Sequence, residues 1–119
     1  MKEQRITVRT DFLGIDAKVS DDGTNWIPIV AKDISSAGIG FTVNKEFAPG
    51  SKLQLEGVVT DHVNKWDIDG EIRVVFAGKT PEGEFLYGSK FIKIAHQDEL
   101  NILIEQLIVK MYNNSGEYI

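Results

Sequence analysis

The stretch WIPIVAKDISSAGIGFTV, residues 26–43, sets two apolar runs on either side of a polar connection. WIPIVAKDI reads as one β-strand and GIGFTV as the next, rich in β-branched and aromatic residues and bounded by turn residues. Pro28 marks an edge or a bulge in the first of them, since proline has no N–H to give a ladder. The connection DISSAG, residues 33–38, carries more polar groups than a tight turn needs. Asp33 and Ser35 can bond nearby backbone N–H groups and shape it. Gly38 can take a positive φ or let another group approach the backbone closely.

Outward from this pair the same grammar repeats. FLGIDAKV alternates, with Phe12, Ile15, Ala17 and Val19 as inward candidates, and Asp22-Gly23 then signals a hairpin. Pro49-Gly50 is a turn pair, and SKLQLEGVVT follows as a strand with Leu53 and Leu55 on one face. After the turn DHVNK, WDIDGEIRVVF places Trp66, Ile68, Gly70, Ile72 and Val74 on one side of a single strand. KTPEGE makes another hairpin into FLYGSKFIKI. Six strands joined by short turns predict an antiparallel barrel or sandwich.

The period changes after Ala95. Leu100, Leu103, Ile104, Leu107, Ile108 and Met111 recur at helical spacing, predicting a helix over about 97–113 that covers a mouth or a face of the barrel. Ile102 and Val109 widen its apolar stripe, which leaves room for a partner protein or a homodimer.

The chain has 119 residues, 42% of them hydrophobic and 26% charged, which suits one domain with one core. With a net charge of −5 it lacks the basic face expected of a DNA or RNA binder. It holds no Cys, so thiol catalysis, disulfides and Cys-based zinc sites are excluded. No apolar run is long enough to span a membrane, and MKEQRITVRTDF does not have the form of a signal peptide, so a cytoplasmic protein without membrane insertion is expected. An enzyme finds no support. His62 and His96 match no metal spacing, neither a G-x-S-x-G nor a P-loop is present, and turn or strand-face chemistry accounts for the neighbouring carboxylates.

The sharpest chemical feature lies at the start of the chain. Lysines outnumber arginines ten to three, yet two of the three arginines, Arg5 and Arg9, fall together in RITVR. On an extended chain they share a side, and guanidinium is the cation that forks onto phosphates and stacks on flat rings. A solvated N-terminal arm over residues 1–12 explains the pair equally well when it is taken alone. DISSAG has a comparable second reading: a carboxylate suits the paired N–H donors of a guanine edge, and a hydroxyl suits a phosphate or base atom.

Taken together, RxxxR at Arg5 and Arg9 and [D/N]xSxxG at Asp33, Ser35 and Gly38 resemble the PilZ domain, over nearly the whole chain. The resemblance implies a mainly β fold: a six-stranded antiparallel β-barrel, here about 12–94, with a C-terminal α-helix, forming a single domain over 1–119. It implies a non-catalytic receptor for the bacterial second messenger cyclic di-GMP, with no cofactor, that passes the signal to an unidentified protein partner in motility, attachment or exopolysaccharide output. Arg5 and Arg9 would clasp phosphates and guanines, Asp33 would accept from a guanine edge, and Ser35 would add a polar contact. Gly38 would allow close approach, and Gly88 in YGSKF would lie near the ligand. Gln4 leaves the ligand stoichiometry open. The alternative is a PilZ-like adaptor that works through protein contacts without ligand.

Overall fold

The computed structural model describes residues 6–7, 14–60 and 65–115, and side chains over 14–60 and 65–106. Its elements are β1 (Ile6–Thr7), β2 (Gly14–Ser20), β3 (Ile27–Ile34), β4 (Ile39–Val43), β5 (Lys52–Thr60), β6 (Lys65–Asp67), β7 (Gly70–Lys79), β8 (Phe85–Ile94) and α1 (Gln97–Ser115). Every pairing is antiparallel. The strands β3, β2, β5, β7, β8 and β4 follow one another round a ring, and β4 returns to β3. The result is a closed six-stranded barrel, and among the described residues closure leaves no long free edge to template aggregation.

The two extra strands share edges with the ring. β1 pairs with β3 at Asp33 and Ile34, past the stretch that β2 occupies. β6 pairs with β5 at residues 58–60, past the stretch that β7 occupies. The strand expected to run unbroken from Trp66 is thus divided into β6 and β7. Tertiary bonds divide it: Ile68 N–H donates to the Gly57 carbonyl at 2.9 Å, and the Asp69 carbonyl accepts from Ala95 N–H at 2.7 Å. The Asp69 carboxylate also accepts from Gly57 N–H at 3.2 Å. The inward phase survives the break, with Ile68, Ile72 and Val74 all buried.

One apolar cluster fills the barrel. Val19, Phe41, Leu53, Leu55, Val59 and Tyr87 contribute from the strands, and Leu100, Leu103 and Ile104 from α1, which therefore plugs the barrel as the helical spacing predicted. Tyr87 sits between Phe41 and Phe47, with ring centroids 5.9 and 5.8 Å away, and its hydroxyl accepts Phe47 N–H at 2.6 Å. Trp66 packs half-buried at the margin of this core.

Pro28 lies where β3 pairs with β2, before pairing with β4 begins at Ile29, so its missing N–H costs no rung there. The bulge in β3 comes further on, between Ala31 and Asp33. A second bulge, in the pairing of β7 with β8, falls between Val74 and Phe76. Each adds one residue and inverts the strand's inside–outside phase beyond it.

The Asp22-Gly23 hairpin forms as expected, with Gly23 at φ 77°. The Asp22 carboxylate accepts the backbone N–H groups of Asn25 and Thr24 at 2.8 Å, together with the Asn25 amide and the Ser20 hydroxyl. These bonds, that from Asn25 N–H first, hold its pKa far below the ordinary 3.8. A depressed carboxylate pKa adds stability above the unfolded value and loses it as pH falls toward the folded one. Asp22→Ala should therefore lower the melting temperature at pH 7, and the gap from wild type should narrow by pH 3.

Candidate functional site

The bulge in β3 decides where Asp33 points. Ile29 and Ala31 face the core, so plain alternation would send residue 33 inward as well. Because the register shifts after Ala31, Asp33 pairs with Gly40 on the outer face, and Ile34 takes the buried position. The pairings then continue sideways: Thr7 to Asp33, Asp33 to Gly40, Gly40 to Gly88 and Gly88 to Phe76. Five strands thus contribute one lateral row. Its middle is two glycines, one end carries a carboxylate, and the other carries an exposed aromatic ring.

The two glycines are closely covered, Gly40 buried against the Asp33 carboxylate and Gly88 half-buried beside Phe76. A Cβ on Gly40 would lie 2.8 and 2.9 Å from the Asp33 carboxylate oxygens, so any side chain there would displace the acid. Gly88 is bordered by Phe76, whose Cβ would be 3.3 Å from an added methyl. Gly40 was not singled out from the sequence. The signal was there: it precedes the inward Phe41 and so takes the outward phase.

Ser35 and Gly38 serve the turn. Ser35 is fully buried, and its Oγ accepts the N–H groups of Ala37 and Gly38 at 3.1 and 3.2 Å. Its own N–H donates to the Gly38 carbonyl at 2.9 Å. Gly38 is buried and does not take a positive φ. The close approach it permits is that of β8, since a Cβ would collide with the Ser89 carbonyl oxygen. The turn is fastened on two further sides. Phe91 N–H donates to the Ala37 carbonyl at 2.8 Å, and the Gln97 side chain at the start of α1 donates to the Ser36 carbonyl at 3.0 Å.

Arg5 and Arg9 lie outside the described residues. Between them, Ile6 and Thr7 are described, and they pair with Ile34 and Asp33. β1 also contacts α1. Ile6 and Thr7 are therefore paired at the acidic end of the glycine row.

A hollow of about 400 Å³ lies across the ring, on β2 and β5, bordered by Asp16, Lys18, Glu56, Asp67 and Asp69. Four carboxylates line it, and Lys18 is 3.6 Å from one of them, Glu56. That charge balance suits no anion. Among the described residues, no group of three or more His, Asp or Glu is arranged to hold a metal.

Solved structures share this architecture. The Bacillus subtilis inhibitor of motility MotI/DgrA superposes with a TM-score of 0.74 at 18% identity, over 92% of this chain and 52% of that one. YcgR from Escherichia coli, in complex with c-di-GMP, gives 0.71 at 13% identity over 98% of this chain and 50% of that one. The K. pneumonia MrkH–c-di-GMP complex gives 0.66 at 14%, over 98% and 54%. The chain thus spans about half the length of these three proteins. No curated protein matches it in sequence. At such identities the structures speak for the fold alone. The sequence itself speaks for more, because the model of the PilZ domain matches residues 2–110, from before RITVR into α1, and the chain belongs to the PilZ domain family.

Proposed function

We propose that this chain is a non-catalytic receptor for cyclic di-GMP, which binds on the outer face along the row from Thr7 to Phe76. The observation that carries the reading is the pairing of Thr7 with Asp33. It sets the middle of the RITVR motif beside the strand position of the outward carboxylate, which supports reading the two arginines, the acid and the row beside it as one ligand surface. Two PilZ-fold relatives, YcgR and MrkH, have c-di-GMP bound in their structures.

The chemistry of the ligand matches each part. It is a dianion with two purines. Arg5 and Arg9 answer both its phosphates and its flat rings. Asp33 accepts from a guanine edge, Gly40 leaves room for its carboxylate, and the half-buried Gly88 lets the ligand lie against backbone. Ser35 and Gly38 act through the turn: the first bonds its amides and the second lets β8 close behind it, and both fix Asp33. The −5 net charge does not oppose binding, because salt screens distant charges over about 8–10 Å.

The signal has a route outward. Ligand held by Arg5 and Arg9 bears on β1, which contacts α1, and Gln97 ties α1 to the Ser36 carbonyl. A partner protein that reads α1 would sense occupancy.

Titration calorimetry with cyclic di-GMP tests the reading. Wild type should bind, and Arg5→Ala and Arg9→Ala should each weaken binding about ten- to hundredfold, the cost of losing charge-assisted hydrogen bonds. Folded wild type that gives no heat at high ligand would exclude the receptor and leave an adaptor that works through protein contacts.

A further inference from the structure

A second groove lies where β6 meets α1. Its volume is about 300 Å³, with Lys65 and Trp66 on one side and Glu99, Ile102, Leu103 and Gln106 on the other. Leu103 is buried in the core, but Ile102 beside it is 55% exposed. Trp66 is incomplete in another way. Its Nε1 is shielded from solvent, yet it meets no acceptor among the described residues. Buried donors are nearly always paired, because leaving one unmet costs its full desolvation. At one place the single chain thus leaves an apolar knob without a socket and a donor without an acceptor.

The same surface carries what would complete both. The groove is a socket for an aliphatic side chain, and the exposed Gln106 has a side-chain carbonyl to accept with. Lys65 and Glu99 supply one cation and one anion, so the lining is neutral on a chain of net charge −5. Lys65 joins none of the described ion pairs, and Glu99 has His96 Nδ1 at 4.0 Å. Knob and socket, donor and acceptor, cation and anion on one patch are what a two-fold interface requires, since residue i of one copy meets j of the other and j meets i. α1 has 19 residues, roughly 28 Å of helix. In the sequence Val109 follows Ile102 at the seven-residue spacing of a helix–helix seam.

We infer that the β6–α1 groove is the seat of a second copy of this chain. Ile102 of each copy enters the other's groove, Lys65 pairs with the partner's Glu99, and the partner's Gln106 accepts the Trp66 indole N–H. The pairing needs no ligand and uses no residue of the glycine row, so it goes beyond the receptor reading.

Sedimentation equilibrium over a concentration series, with the Trp66 indole N–H signal followed by NMR, tests it. The mass should rise from 13.3 kDa toward twice that value, and the Trp66 signal should shift along the same curve. Ile102→Glu should weaken self-association about tenfold or more, while the circular-dichroism spectrum stays as in wild type. Lys65→Glu should weaken it too, and adding Glu99→Lys should restore it. A wild type that remains at 13.3 kDa throughout would overturn the inference and leave the groove to some other occupant. Association that Ile102→Glu leaves intact, or that leaves the Trp66 signal in place, would overturn it as well. Should Ile102→Glu fail to fold, the charge exchange decides: a double variant no better than Lys65→Glu alone contradicts the two-fold pairing. The readout is mass, so the outcome is separate from that of the cyclic di-GMP titration.

Discussion

Alanine at Gly38 should destabilise the fold by about 3 kcal/mol or more, at the upper end of what overpacking costs. The added methyl would collide with the Ser89 carbonyl oxygen, and it would also stand 2.9 Å from the Ser89 carbonyl carbon and 3.1 Å from the Lys90 Cα. All three neighbours are backbone, so no rotamer change relieves the clash. β8 is held there by Ser89 Oγ, which donates to the Ile39 carbonyl at 2.7 Å, and by Phe91 N–H on the Ala37 carbonyl. Moving β8 away would break both bonds and open the β4–β8 seam of the barrel. For a domain of this size the melting temperature should fall by roughly 10–15 °C. Gly88→Ala is the control. Its nearest neighbour is the Phe76 side chain at 3.3 Å, which can yield, so its melting temperature should move far less. An unshifted melt for Gly38→Ala would mean that β8 does not depend on this close approach.

Alanine at Asp33 should do the opposite: it should abolish most ligand binding and leave the barrel standing. The side chain is half-buried on the outer face, away from the core cluster. A carboxylate that accepts two N–H groups of a guanine edge makes charge-assisted bonds worth about 1.5–3 kcal/mol each. Losing both corresponds to more than a hundredfold in affinity. Asp33→Asn keeps one carbonyl acceptor and the side-chain shape, so its loss should be closer to tenfold. Calorimetry on the two variants, with melting curves beside it, checks both statements. If Asp33→Ala binds like wild type, the ligand does not use this end of the row.

Much of this was legible in the residues, for identifiable reasons. Leu53 and Leu55 alternate without interruption because β5 runs straight there, and both are buried. The helical spacing of Leu100, Leu103 and Ile104 survives because one face of α1 packs into the barrel. The turns at Gly23, Gly50 and Gly83 require φ of 77°, 85° and 87°, conformations that glycine announces.

What stayed hidden were features without a compositional mark. A bulge adds one residue of any kind, so nothing in AKD or VVF reveals that Asp33 and Phe76 reverse their phase. The β6–β7 break is made by bonds from Gly57 and Ala95, distant in sequence. Gly38 stood out in its motif, but the neighbour that makes it necessary, Ser89, lies 51 positions away on β8. Motif residues could thus be found by spacing, whereas the division of labour among them required the register.

Amide chemical-shift mapping of the folded protein with cyclic di-GMP tests the central claim most directly. Signals from Ile6, Thr7, Gly40 and Gly88 should move together and saturate with one binding curve, while those from Asp16, Lys18 and Glu56 across the ring stay in place. An unchanged spectrum at high ligand, or shifts confined to β2 and β5, would contradict it.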